Sequence, residues 1–124
     1  MNKPFVFLLM IFLHIVDDYK LQAGVLAYLK QKSYWQENAP EPLYKFDYIA
    51  ALIMHSFSWT FMIMLPIAIV QKFNIDNAFC VMFGINMLTH ALTDNLKANQ
   101  KKINLVFDQF IHICQIILTA GVFL

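Results

Sequence analysis

The chain has 124 residues and a formal net charge of +1, and 60% of its residues are hydrophobic whereas 14% are charged. A soluble domain of this size exposes too much surface to be so apolar, so the composition favours a single integral membrane domain over residues 1–124. All 9 basic residues are lysines. The small net charge gives no basic field for nucleic acid, which is not an expected partner. The absence of arginine weakly disfavours a nucleotide-binding site, although lysine can still meet a phosphate as a point charge.

Four apolar stretches predict four transmembrane helices and therefore an all-α membrane bundle. The predicted spans are about 3–22, 46–71, 77–98 and 103–124, each close to the roughly 20 residues that cross a bilayer. The first helix is expected to continue amphipathically to about Lys32. Residues 33–45, with Pro40 and Pro42, predict a loop, and polar residues at 74–77 and 99–102 predict the other two turns.

The lysines lie unevenly around these spans. Only Lys3 and Lys72 flank one side, whereas the first and third connections carry Lys30, Lys32, Lys45, Lys97, Lys101 and Lys102. The positive-inside rule then places those two connections in the cytoplasm and both termini outside it, in a multi-pass protein of the inner (cytoplasmic) membrane. Lys20 and Lys97 are expected to extend to the lipid headgroups.

Three of the four histidines lie four residues from an aspartate. The pairs are His14 with Asp18, His90 with Asp94, and Asp108 with His112, and the fourth histidine is His55. Residues four apart share a helix face. Each buried carboxylate in a membrane helix costs roughly 2.5–3.5 kcal/mol. Three such carboxylates in so short a chain indicate a function.

The spacing also predicts that these residues share a depth. His90 and His112 are each 11 positions from Lys101, and Asp94 and Asp108 are each 7 positions from it. At 1.5 Å per residue these separations are about 16 Å and 10 Å along two antiparallel helices. His14 precedes Asp18 in the same inward order, and His55 can reach the same layer. We therefore predict one polar His/Asp cluster in the cytoplasmic half of the bundle.

Imidazole nitrogens and carboxylate oxygens together form the ligand set of Zn²⁺, and they also suit Mn²⁺ or Fe²⁺. We predict one or two divalent ions held by seven residues: His14, Asp18, His55, His90, Asp94, Asp108 and His112. Seven groups exceed the ligands of one tetrahedral ion. Asp18, Asp94 and Asp108 are therefore also the candidates for a catalytic base.

The function expected from this cluster is a metal-dependent hydrolase that acts on an ester or phosphoester of a lipid near the cytoplasmic leaflet, with membrane lipids as partners. A second hypothesis is a non-catalytic metal-binding or ion-translocating protein, and translocation through so few helices would require a homo-oligomer. A third is that the pairs only stabilise the bundle. Interhelical polar bonds in membranes average about 0.6 kcal/mol, which is too little to offset the cost of burying these groups.

Four segments of the sequence resemble the motifs of a known family. They are His14-Ile-Val-Asp-Asp18-Tyr-Lys-Leu-Gln22, Ile53-Met-His55-Ser, Thr89-His90-x-x-x-Asp94-x-x-Lys97 and Phe107-Asp108-Gln109-x-x-His112. In this order they are similar to the family called domain of unknown function 3307. The resemblance implies a small membrane protein of a bacterium or phage, without an assigned reaction. The chain departs from the family pattern at Asp17 and Lys20.

Overall fold

The protein is described by a computed structural model covering residues 2–124, within which every regular element is helical. Six α-helices follow one another along the chain: α1 Lys3–Val16, α2 Val25–Leu29, α3 Lys32–Asn38, α4 Asp47–Val70, α5 Asn77–Ala98 and α6 Leu105–Phe123. A π-helical segment, Asp17–Leu21, continues α1, and a 3₁₀ turn, Pro42–Tyr44, precedes α4. The predicted all-α class is confirmed.

The four long helices pack side by side. Helix α4 contacts α1 and α5, and α6 contacts the same two helices, so the cyclic order is α1–α4–α5–α6. By length and composition, α6 and the segment Pro42–Val70 that contains α4 are apolar enough to cross a membrane. The four-span membrane bundle stays a prediction.

The first connection differs from the sequence expectation. The regular α-helix ends at Val16 and the π-helical segment continues it only to Leu21. The helix does not run on to Lys32, because Gly24 turns the chain with φ +81°, a conformation that residues with a Cβ avoid. The predicted loop over 33–45 is also partly wrong, since α3 occupies Lys32–Asn38. Together α2 and α3 fold the connection back across one end of the bundle, where α2 contacts α4.

Side-chain caps begin the last two helices. The Asp76 carboxylate accepts a hydrogen bond from the Phe79 N–H at 2.8 Å, and the Asn104 side-chain oxygen accepts one from the Phe107 N–H at 2.9 Å. Such caps satisfy N–H groups that have no partner within the helix. They fix where α5 and α6 start, and therefore the register between the residues of the two helices that face each other.

The π-helical segment is tied to α4 through Asp17. One oxygen of its buried carboxylate accepts hydrogen bonds from Ser58 Oγ at 2.7 Å and Gln22 Nε2 at 3.2 Å. A π-helical turn widens the helix and often occurs at functional sites. Here it directs Asp18, the next residue, towards the histidines.

The polarity of the protein is inverted relative to a soluble domain. Among the described residues, fourteen buried side chains are polar or charged and eleven are hydrophobic. Large apolar side chains face outward along every long helix, for example Leu8, Phe61, Leu88 and Leu118. A soluble monomer rarely exposes apolar surface so extensively. The apolar part of the core is small and includes Trp59 and Ile116.

Candidate metal centre

The structure brings all seven predicted site residues together at one level of the bundle. Helix α1 and its π-helical segment supply His14 and Asp18, α4 supplies His55, and the remaining four residues come from α5 and α6. The ring centroids of His90 and His112 lie 4.2 Å apart, those of His55 and His90 4.9 Å, and those of His14 and His112 5.8 Å. The four imidazoles therefore form one contiguous group.

The imidazoles are held by packing against a buried tryptophan. Trp59 is fully buried and stacks on His90 with a centroid separation of 4.3 Å and an interplanar angle of 23°. His90 in turn stacks on His112 at 24°. This column of rings restricts the orientation of both imidazoles, which a metal ligand requires.

His14 has both ring nitrogens engaged in hydrogen bonds. Trp59 Nε1–H can only donate, and it donates to His14 Nδ1 at 2.7 Å. His14 Nε2 lies 3.1 Å from Gln109 Oε1 and must therefore carry the proton. The Gln109 amide is fixed in this orientation because its Nε2 donates to Asp18 and Asp108. In this arrangement His14 orients its neighbours, and its role as a ligand stays a prediction.

His112 is held in the opposite tautomer. Gln115 Nε2 donates to the Asn86 backbone carbonyl at 3.0 Å, which accepts only, so Gln115 Oε1 is directed at His112 Nδ1, 3.2 Å away. The proton of a neutral His112 therefore sits on Nδ1. In this neutral form Nε2 carries a free lone pair, as a metal ligand must.

That lone pair faces two carboxylate oxygens. His112 Nε2 lies 3.5 Å from Asp108 Oδ1 and 3.6 Å from Asp94 Oδ1. Among residues 2–124, neither His112 Nε2 nor Asp108 Oδ1 has a hydrogen-bond partner, although both are buried. A direct N–H···O bond would be about 2.7–3.2 Å long. Two ligands of one tetrahedral zinc ion stand about 3.4 Å apart, given metal–ligand bonds of about 2.0–2.2 Å. The observed N···O separations of 3.5 and 3.6 Å are closer to the spacing of two zinc ligands than to the length of a direct hydrogen bond.

Two groups of side chains have the spacing needed to hold a metal ion. One is Asp18, His55 and His90, and the other is His90, Asp94 and His112, with the candidate ligand atoms of each group within 4.8 Å of one another. In the first group, His55 Nε2 lies 3.0 Å from His90 Nε2 and 3.8 Å from Asp18 Oδ1. His90 belongs to both groups, and one imidazole nitrogen binds one ion. The two positions are therefore alternatives unless one ion binds without His90.

Two lysines neutralise the carboxylates from the open side of the cluster. Lys30 Nζ donates to Asp94 Oδ2 at 2.6 Å, and Lys97 Nζ donates to Asp108 Oδ2 at 2.6 Å. Lys97, which the sequence places at the lipid headgroups, instead points into the cluster. A cavity of about 70 Å³ opens here, and its lining includes Asp18, Tyr19, Lys30, His55, Asp94 and Lys97.

Several contributors to the site do not stand out in the sequence. Trp59 lies four residues after His55, Gln115 three after His112, and Asn86 four before His90, so helical spacing places each on the face of a predicted site residue. Helical periodicity could therefore have found them. Lys30 has no comparable signal, because its position depends on the turn at Gly24.

The family model described as "Protein of unknown function (DUF3307)" matches residues 6–124. No curated protein and no solved structure matches the chain.

Proposed function

The chain belongs to the DUF3307 family, and we propose that it is a membrane-embedded, divalent-metal-dependent hydrolase acting on a lipid-like ester or phosphoester near the cytoplasmic leaflet. The observation that carries the proposal is the buried lone pair of His112 Nε2 opposite Asp94 Oδ1 and Asp108 Oδ1. Acceptor atoms that face one another out of contact with water repel, and a cation between them removes that repulsion.

The ligand atoms favour a first-row divalent ion. The group of His90, Asp94 and His112 offers two imidazoles and a carboxylate, and neither candidate group contains a cysteine. This ligand set suits Zn²⁺ best, with Mn²⁺ and Fe²⁺ as alternatives. Three of these ligands leave one tetrahedral position for a water molecule or substrate, as in catalytic zinc sites, and with Asp108 as a fourth ligand the water or substrate would take a fifth position.

The membrane assignment rests on the inverted polarity of the bundle and on the two apolar helices. We propose that α1 and α5 also cross the bilayer, because they complete the wall around the buried cluster. The lysine-rich connections then lie in the cytoplasm and both termini outside it. The cavity lies at the end of the bundle where these lysine-rich connections are, so the site would open near the inner leaflet.

The exposure of the three aspartates suggests different roles. Asp94 and Asp108 are 1% and 0% exposed, which suits ligands, whereas the Asp18 side chain is 11% exposed and lines the cavity. Asp18 can therefore reach a water molecule there and is our candidate for the general base. A bound divalent ion would supply Lewis acidity, which polarises an ester or phosphoryl oxygen and activates water.

The alternative is a metal-binding protein without catalysis, and the size of the cavity favours it. About 70 Å³ holds water or a small group but no lipid headgroup, so all of a lipid substrate except the reacting group would have to lie outside the cavity. Elemental analysis of the purified protein tests the part that both functions share. We expect about one or two equivalents of a first-row divalent metal, lost in the His112→Ala variant and retained in an Asp47→Asn control outside the cluster.

Activity separates the two functions. The metal-loaded protein in lipid nanodiscs is incubated with labelled phospholipids and isoprenoid phosphates, and chelator-sensitive release of product is expected. Asp18→Asn should keep the metal and lose turnover. Metal retention with no turnover across the panel would favour the non-catalytic function, and absence of metal from the wild-type protein would refute both.

Cysteine accessibility tests the proposed orientation. After replacement of Cys80 and Cys114 by serine, single cysteines at Ser33 and Gln100 should react with a membrane-impermeant reagent only from the cytoplasmic side. Gln100 is exposed, whereas the neighbouring Asn99 bonds to Lys30 and would perturb the connection if replaced. Labelling of either position from outside would contradict the topology.

A further inference from the structure

We propose that Lys30 and Lys97 form a binding site for a phosphate-like oxyanion beside the metal centre. This oxyanion site rests on the proposed function, and it narrows the substrate class from esters in general to phosphoesters with a charged phosphoryl group.

Both ammonium groups lie between the carboxylates and the open side of the cluster. Lys30 Nζ is 3.5 Å from His55 Nε2 as well as 2.6 Å from Asp94 Oδ2, and Lys97 Nζ is 3.9 Å from Asp94 Oδ1. The lysine side chains are 14% and 28% exposed, and both line the cavity. A ligand that enters the cavity therefore meets two cations immediately above the candidate ion ligands.

The position of Lys30 is built into the fold. Asn99, at the end of α5, donates from Nδ2 to the Lys30 backbone carbonyl at 3.1 Å and accepts from the Lys32 N–H at 2.7 Å. These two bonds clamp the first connection onto α5. Lys30 consequently enters the cluster from a fixed backbone, which distinguishes it from a mobile surface lysine.

The net charge of the metal-loaded cluster favours the binding of an anion at these lysines. Of the groups that face the cavity or the candidate ion ligands, Asp18, Asp94 and Asp108 contribute three negative charges, and Lys30 and Lys97 contribute two positive ones; the Asp17 carboxylate is bound by Ser58 and Gln22 instead and is not counted. With neutral imidazoles the sum is one negative charge, and a divalent ion changes it to one positive charge. The ion also binds the carboxylates that pair with the lysines, so it weakens both ion pairs. A buried, uncompensated cation is unfavourable, and an oxyanion in the cavity compensates it.

Phosphate is the oxyanion that fits this chemistry best. A lysine ammonium binds phosphate as a point charge, without the planar geometry that arginine imposes. A phosphoryl oxygen can contact the ion while other oxygens accept from the two lysines. A neutral carboxylic ester would leave the positive charge in place.

The test is thermodynamic coupling between metal and phosphate. The full chain in phosphatidylcholine nanodiscs is titrated with Zn²⁺, with and without inorganic phosphate, by competition with a chromophoric chelator that is calibrated in the same phosphate buffer. Coupling between sites commonly changes affinity by about 5- to 150-fold, and we expect phosphate to tighten Zn²⁺ binding at least fivefold. In Lys30→Met/Lys97→Met the phosphate effect should disappear, whereas Zn²⁺ alone should bind more tightly because two repelling cations are gone.

Loss of the phosphate effect is the decisive result, because the removal of two nearby cations would tighten the binding of Zn²⁺ alone whether or not they bind an oxyanion. Lys101→Met/Lys102→Met, in an exposed turn, is the matched control and should behave as wild type. If the double variant loses its helical circular dichroism, Lys97→Met alone should still halve or abolish the phosphate effect. Wild-type protein that binds no Zn²⁺ refutes the proposed function, whereas Zn²⁺ binding that phosphate does not change refutes only the oxyanion site.

Two further arms identify the source and class of the anion. Nanodiscs containing phosphatidic acid that tighten Zn²⁺ binding without added phosphate would support a lipid phosphomonoester as the ligand. An effect of free phosphate alone would support a soluble phosphate compound. Acetate that matches phosphate at equal concentration would overturn the phosphate class.

Discussion

Replacing Gln115 by leucine tests whether the tautomer of His112 controls metal binding. In the wild type, Gln115 Oε1 accepts the His112 Nδ1 proton and leaves Nε2 free. Leucine removes that acceptor while keeping a side chain of similar size. The Nδ1–H tautomer then has no buried partner, and His112 is expected to move its proton to Nε2, where the Asp94 and Asp108 carboxylates can accept it.

The expected loss of metal affinity follows from how the substitution affects the metal-free and the metal-bound states differently. A buried N–H that loses its acceptor costs about 1–3 kcal/mol. The metal-free variant escapes this cost by switching tautomer, but the metal-bound variant cannot, because Nε2 is then a ligand. Metal affinity should therefore fall by nearly the full amount. Replacing the partner of a ligating histidine typically lowers affinity about 10- to 100-fold, which is about 1.4–2.7 kcal/mol and agrees with this estimate.

The assay is competition between the protein and a chromophoric chelator for Zn²⁺. Gln100→Leu is the matched control, because Gln100 is exposed in the turn before α6, and it should leave affinity unchanged. Gln115→Glu restores an acceptor for Nδ1–H and should recover much of the lost affinity, even though it can no longer donate to the Asn86 carbonyl. Zn²⁺ affinity of Gln115→Leu within twofold of wild type would refute the tautomer argument.

Three further predictions concern the same cluster. Asp94→Asn and Asp108→Asn should each abolish metal retention, and the double variant should add little, because both remove a ligand of one site; fully additive losses would place them in separate sites. His14→Gln should weaken Zn²⁺ binding by less than tenfold, whereas His112→Ala should weaken it more than a hundredfold, and equal losses would show that His14 is itself a ligand. Trp59→Phe keeps an aromatic ring against His90 but deprives the His14 Nδ1 atom of its donor, so the free energy of unfolding should fall by about 1–3 kcal/mol. Denaturant titration followed by circular dichroism measures this change, and an unchanged free energy of unfolding would argue against the Trp59–His14 hydrogen bond.

The convergence of the cluster was predictable from helical geometry alone. His90 and His112 are equally far from Lys101 in the sequence, and a helical hairpin therefore places them at one depth. In the structure their rings are stacked at 4.2 Å. The individual roles were not predictable. His14 and His90 share the spacing His-x-x-x-Asp, yet His14 has both nitrogens engaged by Trp59 and Gln109, which are 45 and 95 residues away in sequence.

The first connection is the part of the fold that could not be predicted from the sequence. The prolines at positions 40 and 42 indicated a loop, and nothing in the pattern identified α3 or the reversal at Gly24. In the sequence, Lys30 therefore contributed only to the predicted orientation of the chain in the membrane. Its entry into the cluster depends on the Asn99 clamp, a contact between residues 69 positions apart that no local rule anticipates.

The hydrogen bonds around the cluster argue against a purely structural role for the seven groups. On one side, Gln109 satisfies His14 and donates to both Asp18 and Asp108. On the other side, Gln115 links His112 to Asn86 and fixes both amides.

Between these two satisfied networks, His112 Nε2 and Asp108 Oδ1 face each other without a donor among the described residues. A network that served only stability would pair these central atoms, because each unpaired buried group costs about 1–3 kcal/mol; the Nδ1 atoms of His55 and His90 are also without a partner among the described residues. Satisfied partners that hold unsatisfied acceptors around a common point are the arrangement expected of residues that orient metal ligands.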